Sequence, residues 1–534
     1  MCGIFFSAAS ALSAPDDISL LKVGVLKSLQ CRGPDCSNTI HIQRNANQEL
    51  IFHSTVLSMR DPMTSQPLVK QSDILQFNGE LYSFTGDLAG LDFELSHGND
   101  TFVLLDSFLR VGVLSTIKHV RGEYAFVFYD SSTGCVWFGR DCIGRRSLLI
   151  NKSHRDGIAI SSIPPQVPGL REHWEEVPAG EIYKLNLSNF EIKTIPWSYH
   201  ATETELVYYY PPVSDIVSFH SQAEYDSLIA EVENKLCSAI KIRLFSVHQT
   251  SKPTYAILFS GGIDCTLLAY FINTVFHDHS STVTIDLLNV AFENPRTGKM
   301  WETPDRILGR RSWKELVSSP SYANSACKFT FIEINVPFSE VQKYKSIVSN
   351  LMFPQSSVMD YSIALAFFFA SRGSGALFTD PLSTDPENAH YTTSSKILFS
   401  GLGADELFAG YTRHSTNFKR DGYTGLVEEL DLDFSRLHSR NLGRDDRVAS
   451  DSGREVRYPY LDEDVVKVAS NACLDSKIRI VDGQIECKWV LRQIATRIGL
   501  HCVAKEKKRA IQFGARSAKL EPGQGKIKGT DKFL

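Results

Sequence analysis

Ser260-Gly261-Gly262-Ile263-Asp264-Cys265 stands between an apolar run, Tyr255-Ala256-Ile257-Leu258-Phe259, and a helix-like segment at 266–275. The order strand, glycine turn, helix decides the fold of the second half of the chain. Such a turn presents bare backbone N–H groups at the positive end of a helix, which suits an anion. Adjacent glycines let the backbone approach a bulky phosphate. A carboxylate at Asp264 beside that anion makes sense when a cation bridges the two. The stretch reads either as a site for ATP-Mg²⁺ or as a plain β-to-α turn with a capping aspartate. A second turn, Ser400-Gly401-Leu402-Gly403-Ala404-Asp405-Glu406, follows the strand candidate 396–399. Two acid-bearing glycine turns favour the nucleotide, with Asp264 and Asp405 sharing one Mg²⁺.

Outward from these turns, strand candidates at 285–292 and 329–336 alternate with helix candidates at 313–317, 338–350 and 360–372. That alternation predicts an α/β domain with a doubly wound, mostly parallel sheet, whose ligands lie outside the carboxyl ends of the strands. An amphipathic helix is expected over 223–243. Before it, Tyr208-Tyr209-Tyr210-Pro211-Pro212 cannot extend a helix and marks a junction. The first 200 residues carry short strand-like runs at 4–6, 49–52, 74–77, 124–129, 136–138 and 147–150, with helices at 18–29 and 101–110. Asp130-Ser131-Ser132-Thr133-Gly134 reads as a hairpin loop. This half is expected to be a layered α/β domain with largely antiparallel sheets. The expected division is a first domain over 2–200, a linker over 201–222, a second domain with a helical C-terminal part over 223–515, and a tail over 516–534 without fixed structure.

A chain of 534 residues exceeds one ordinary core, so two or three domains are expected. Its 43% hydrophobic and 22% charged content is that of a soluble globular protein. A net charge of −5 gives no footprint for nucleic acid. The basic run Lys505-Glu506-Lys507-Lys508-Arg509 reads as a solvated segment beside the phosphate site. Eleven cysteines without a CxxC pair indicate neither a zinc ribbon nor a disulfide framework, and suit a reducing cytoplasm. Apolar runs such as 363–370 are far too short for a membrane span. Leu12-Ser13-Ala14 imitates a signal cleavage site, but Met1-Cys2-Gly3 supplies no positive n-region, so a secretory signal is not expected.

Cys2 carries both a thiol and the chain's α-amine once Met1 is removed. With reference pKa values of about 8.5 and about 7.7–8.0, the amine can take the thiol proton near neutral pH. The competing reading is an ordinary buried cysteine at the start of a strand. Asn78-Gly79-Glu80-Leu81-Tyr82, placed after a strand, could aim a side-chain amide and a glycine N–H at one point, the equipment of an oxyanion hole. Arg32-Gly33-Pro34-Asp35 reads as a turn with a fixed charge pair. Asn99-Asp100-Thr101 caps a helix, and Asp100 could also hold a substrate ammonium.

Taken in order, Met1-Cys2-Gly3-Ile4, Arg32 to Asp35, Asn78 to Tyr82, Asp100, Arg121-Gly122-Glu123-Tyr124-Ala125-Phe126 and Arg140-Asp141-Cys142-Ile143-Gly144-Arg145-Arg146 resemble class II glutamine amidotransferase domains. These are N-terminal-nucleophile hydrolases with a sandwich of antiparallel sheets and helices. The resemblance implies that Cys2 attacks the side-chain amide of glutamine and releases ammonia. It implies an oxyanion hole at Asn78 and Gly79, and glutamine held by Asn78, Glu80 and Asp100. One departure stands out. Val56 in Ser54-Thr55-Val56-Leu57-Ser58 replaces the family's arginine for the glutamine carboxylate, and Arg60 is four residues further on.

The second half resembles asparagine synthetases. The resemblance rests on the Ser260 and Ser400 turns, Arg440 to Arg447, Glu455, Arg457, Pro459-Tyr460-Leu461-Asp462, Lys488, Leu491-Arg492 and 508–514. Pro304-Asp305-Arg306-Ile307-Leu308-Gly309-Arg310 and Glu333-Ile334-Asn335-Val336 look like the branch called asparagine synthetase domain-containing proteins. ATP would then be bound by Phe259, Ser260, Gly261, Gly262, Asp264, Cys265, Val290, Ser400 and Gly401. Asp264 and Asp405 would hold Mg²⁺, and Lys508 would neutralise charge developing on the phosphates. The implied reaction takes aspartate, glutamine and ATP to asparagine, glutamate, AMP and pyrophosphate; a homodimer is compatible with it. Cys265 replaces the second loop serine, Leu402 replaces the glutamate that serves as base, and 357–364 lacks the Thr-Pro-Met-like run of the aspartate pocket. These departures keep two alternatives open: a ligase for another carboxylic acid, and a catalytically reduced nucleotide-binding or scaffold protein.

Overall fold

The computed structural model describes the whole chain except residues 1, 11–14, 46–47, 61, 89–98, 153–156, 167–168, 201–205, 247–253, 278–281, 297, 299, 323–324, 521–526 and 534, and at 10, 15–23, 87 and 321 it describes the backbone alone. The signal-like Leu12 to Ala14 lies outside the described residues.

Strand β1 (Gly3–Ser10) has both faces buried. Ile4, Phe6 and Ala8 join the core between two sheets, while Phe5 faces Val25 and Leu29 of the helix Pro15–Arg32. Alternate side chains of one strand thus serve two layers. β1 sits inside a six-stranded antiparallel sheet beside β2 (Gln48–Val56). The facing seven-stranded sheet holds β3 (Asp73–Phe84), α1 (Asp100–Val111) covers its outer side, and β4 (Val120–Asp130) pairs with β3. Val103, Leu104 and Phe108 of α1 pack on Phe77, Phe126 and Phe128. The result is the expected sandwich of helix, sheet, sheet and helix. β3 does not end before Asn78 but runs through it.

Ser221 and Glu224 form a capping box that starts α2 (Gln222–Phe245). The second half then follows as β5 (Tyr255–Leu258), α3 (Ile263–Phe276), β6 (Val283–Phe292), α4 (Pro304–Val317), β7 (Cys327–Val336), α5 (Val358–Arg372), β8 (Ile397–Phe399) and β9 (Glu455–Arg457). The strands lie in the order β7-β6-β5-β8-β9 and all pair in parallel. An antiparallel pair, Ser374–Phe378 and Asn388–Thr392, extends the β7 edge. β5 has β6 on one side and β8 on the other, so the strand order reverses there. This switch point opens the crevice where such sheets take ligands. The Ser260 and Ser400 turns leave the carboxyl ends of the two adjacent strands β5 and β8.

Within the tail expected to lack fixed structure, Asp531 and Gly529 accept from the Val358 and Met359 N–H groups, each at 2.9 Å, and Phe533 stacks on Tyr361 with centroids 3.9 Å apart. Among the described residues no helix is long and apolar enough to cross a membrane.

Candidate functional site: two centres joined at a buried interface

The first centre forms where β1 begins beside β3. Cys2 is buried, and its backbone N–H donates to Asn78 Oδ1 at 2.8 Å. That bond turns the other end of the amide away, and Asn78 Nδ2 is buried with no protein partner. Gly79 has φ +149, and a Cβ there would lie 2.0 Å from the Glu123 carbonyl oxygen, so only glycine lets β3 pair this closely with β4. Burial pushes the Cys2 thiol pKa up, against the chain's N-terminal charge and the Leu57 N–H.

Glu80 and Asp100 are both within reach of the arginine the sequence offers in place of Val56. Arg60 Nε donates to Glu80 at 3.0 Å and lies 3.9 Å from Asp100, and its Nη2 donates to the Leu81 carbonyl at 2.9 Å. Val56 itself is buried in β2, paired with Cys36. Burial pushes the Glu80 carboxyl up to about 7, with Arg60 and Arg457 pulling the other way. Asp100 accepts from the Leu81 N–H at 3.1 Å, and Asn99 caps α1 through the Thr101 N–H at 3.0 Å.

The charge pair expected within Arg32 to Asp35 is not there. Arg32 pairs with Asp446 at 2.9 Å and Asp35 with Lys396 at 3.1 Å, so each charge reaches into the second half instead. Gly33 explains the geometry: its Cβ position is 2.4 Å from the Val56 nitrogen, so β2 occupies the inside of the turn.

The second centre is a cavity of about 320 Å³ at the switch point. Phe259, Ser260, Cys265 and Val290 line one side, and Ser400, Gly401 and Lys508 line another. Gly261 and Gly262 shape the turn rather than the wall. Gly261 takes φ +81 and a Cβ there would meet Gly309 at 2.5 Å, so both the backbone angle and the close approach call for glycine, and Gly262 precedes the first turn of α3. The two turns touch, since a Cβ on Gly401 would lie 2.8 Å from Asp264 Cβ.

Asp264 and Asp405, expected to share Mg²⁺, converge in this structure on one side-chain cation, Lys488. Lys488 Nζ lies 2.7 Å from both Asp264 oxygens and 2.7 Å from Asp405 Oδ1; Lys508 bonds Asp405 Oδ2. Burial alone would raise the Asp405 pKa, but the two ammonium groups outweigh it and hold the carboxyl well below its usual range. Two carboxylates aimed at one cation, with phosphate oxygens and water to complete the shell, are the donor set magnesium takes, so the pair fits the ion. Among the described residues no group of three or more His, Cys, Asp or Glu could hold a metal unaided. The Cys265 thiol donates back to the Gly262 carbonyl at 3.2 Å, and burial raises its pKa to about 11, so it enters the site neutral. Leu402 stands on the wall as an apolar residue.

Four residues of the two clusters had no role in the sequence reading, although Asp305, Arg457 and Lys488 stood within its motifs. Lys488 sits in the left-handed region, φ +57, which is an irregularity no pattern announces. Gln66 lies 3.8 Å from the Cys2 sulfur. Asp305, on the cavity wall, is 4% exposed, and burial lifts its carboxyl to about 7 against Arg509 and Lys508. Arg457 joins the centres: its Nη2 is 3.4 Å from Glu80, its Nε donates to Glu455 at 2.8 Å, and its carbonyl accepts the Ser400 N–H at 3.0 Å.

A family model for a glutamine amidotransferase domain matches residues 1–190, and one for asparagine synthase matches residues 415–525. An asparagine synthetase domain-containing protein of Saccharomyces cerevisiae is 36% identical over 95% of this chain and 90% of its own length. Asparagine synthetase domain-containing protein 1 of Bos taurus is 31% identical over 98% and 97%. A glutamine-hydrolyzing asparagine synthetase of Arabidopsis thaliana is 25% identical over 92% and 74%. These matches, at 36% and 31% identity over nearly the whole length, place the chain: it belongs to the family of asparagine synthetase domain-containing proteins.

Proposed function

We propose that this protein is a glutamine-hydrolysing, ATP-dependent amide ligase. Cys2 attacks glutamine, Asn78 Nδ2 and the Gly79 N–H receive the oxyanion, and Glu80 and Asp100 hold the α-amino group. The observation that carries the reading is the orphaned Asn78 amide beside the buried Cys2: a buried donor without a partner costs about 1–3 kcal/mol, and an oxyanion supplies the missing acceptor. In the second centre the Ser260 and Ser400 turns take the phosphates, and Lys508 neutralises the charge that develops as pyrophosphate leaves. Asp264 and Asp405 would hold magnesium, which supplies charge neutralisation on the phosphates. Aspartate is the acceptor acid we assign. A second reading, a ligase for another acid, draws on Leu402, which cannot move a proton and lines the cavity with an apolar face.

The test is to incubate the purified chain with glutamine, aspartate and ATP-Mg²⁺. Glutamate, pyrophosphate and asparagine are expected. Glutamate and pyrophosphate with an amide other than asparagine, on a panel of acids, would support the second reading. Absence of both glutamate and pyrophosphate would refute a ligase of either kind.

A further inference from the structure

Gln66 is 2% exposed and lies next to the nucleophile of the first centre. Its orientation is settled by a neighbour. The Phe77 N–H, on β3, donates to Gln66 Oε1 at 2.7 Å. An N–H can be received only by the carbonyl end of a carboxamide, so the NH₂ end must point the other way. That end faces the Cys2 sulfur at 3.8 Å, a separation suited to the large sulfur acceptor. Cys2 is thereby held from two sides by the same strand: Asn78 anchors its backbone N–H, and Phe77 fixes the amide that meets its thiol.

We propose that Gln66 is a catalytic residue of the Cys2 centre, donating its Nε2–H to the sulfur and stabilising the thiolate that attacks the amide carbon. This rests on the glutamine-hydrolysis reading. In that reaction the thiol proton passes to the α-amine freed by removal of Met1, and a sulfur–carbon bond forms as the carbonyl electrons move to oxygen. The amine then returns the proton to the leaving nitrogen, the carbon–nitrogen bond breaks, and ammonia departs from a thioester that water hydrolyses. Gln66 neither gives up nor takes a proton in this sequence; its bond is strongest when the sulfur is charged. Burial, Asp100 and Glu455 all oppose a charged sulfur here, so a neutral donor in contact with it has a clear task.

The contact is read by the pH profile of Cys2 alkylation with iodoacetamide, followed on the N-terminal peptide by mass spectrometry, in the full chain and in Gln66→Met and Gln66→Glu. Losing a donor to a charged group shifts the midpoint up by about one unit in Gln66→Met, roughly tenfold less thiolate at neutral pH. Gln66→Glu keeps an acceptor for Phe77, and so keeps β3 in place, while setting a negative charge beside the sulfur; its midpoint rises further. Midpoints equal to wild type in the folded variants overturn the proposal, and if Gln66→Met does not fold, Gln66→Glu alone decides. The readout does not require turnover: a wild type that releases no glutamate refutes the hydrolysis reading, while an unmoved midpoint in an active enzyme refutes only the contact.

Discussion

Gly79 and Gly410 each leave room for a centre that one methyl group would close. At Gly79 the obstacle is a backbone carbonyl of the paired strand, which cannot move without breaking the ladder. Gly79→Ala is expected to destabilise the fold by roughly 2–4 kcal/mol in urea unfolding and to abolish glutamate release. At Gly410 the Cβ would meet Asp405 Oδ1 at 1.9 Å and Lys488 Cε at 2.3 Å, so the carboxylate and ammonium pack against bare backbone. Asp305 gives a titration with a definite sign. Its folded pKa, about 7, is above the ordinary carboxyl value, so the folded state holds its proton where the unfolded chain has lost it. This contribution is present at low pH and falls away as pH rises from about 4 to 7. Asp305→Asn removes it, so the variant's Tm should gain on wild type as pH is raised from 5 to 8; a constant difference would contradict this assignment. At this scale the residues that the sequence singled out in runs, Cys2, Asn78-Gly79-Glu80, Asp264 and Asp405, do come together in two clusters. Lys488 stood in a motif without a role and Gln66 was not singled out, because their meaning comes from partners 224 and 64 positions away.

The parallel strands were legible as elements because burial on both faces makes them continuous apolar runs. β6 and β7 each lie within one or two residues of their expected bounds. The antiparallel edge pair was not legible: Asn388–Thr392 is mostly exposed and shows no apolar pattern. α4 was foreseen only at its end, since Arg306, Arg310 and Arg311 mask its buried stripe of Leu308, Ser312 and Leu316. α5 shows what the end of the chain does. Its first N–H groups find their acceptors in Asp531 and Gly529, partners that no local cap supplies. Because Met359 and Ile363 of α5 line the nucleotide-type cavity, the end of the chain supports a wall of the site. Deleting residues from 528 onward should lower stability by about 1–3 kcal/mol, read by urea unfolding. It should also weaken ATP binding, read by calorimetry, while leaving the Cys2 centre intact.

Across the whole molecule, the two centres are joined by arginines with no exposed surface. Arg146 lies between Glu123 at 3.2 Å and Glu455 at 3.5 Å, and Arg243 binds Glu123 at 2.7 Å and Asp462 at 2.8 Å. Arg457 touches Glu80 of the first centre with its side chain and the Ser400 turn with its carbonyl. Removing one member of such a pair leaves a buried charge alone, at a cost of about 3–5 kcal/mol. Burial would raise the Glu455 carboxyl, but Arg457 and Arg146 hold it down to about 2. Its stabilising contribution is therefore complete above the ordinary glutamate range and is lost as pH falls from about 4.5 toward 2. Arg457→Met should be less stable at neutral pH and should unfold at a higher pH on acidification than wild type. Each of these arginines pairs with one acid of its own half and one of the opposite half, and it is the second partner that no local pattern shows.

The central claim is that one chain makes ammonia at Cys2 and spends ATP at the Ser260 crevice. Cys2→Ala, supplied in turn with glutamine and with ammonium alongside aspartate and ATP-Mg²⁺, tests it most directly. The account predicts no glutamate from glutamine, and pyrophosphate release retained with ammonium. Glutamate release that survives the substitution, or pyrophosphate release lost with ammonium in a folded variant, would contradict it.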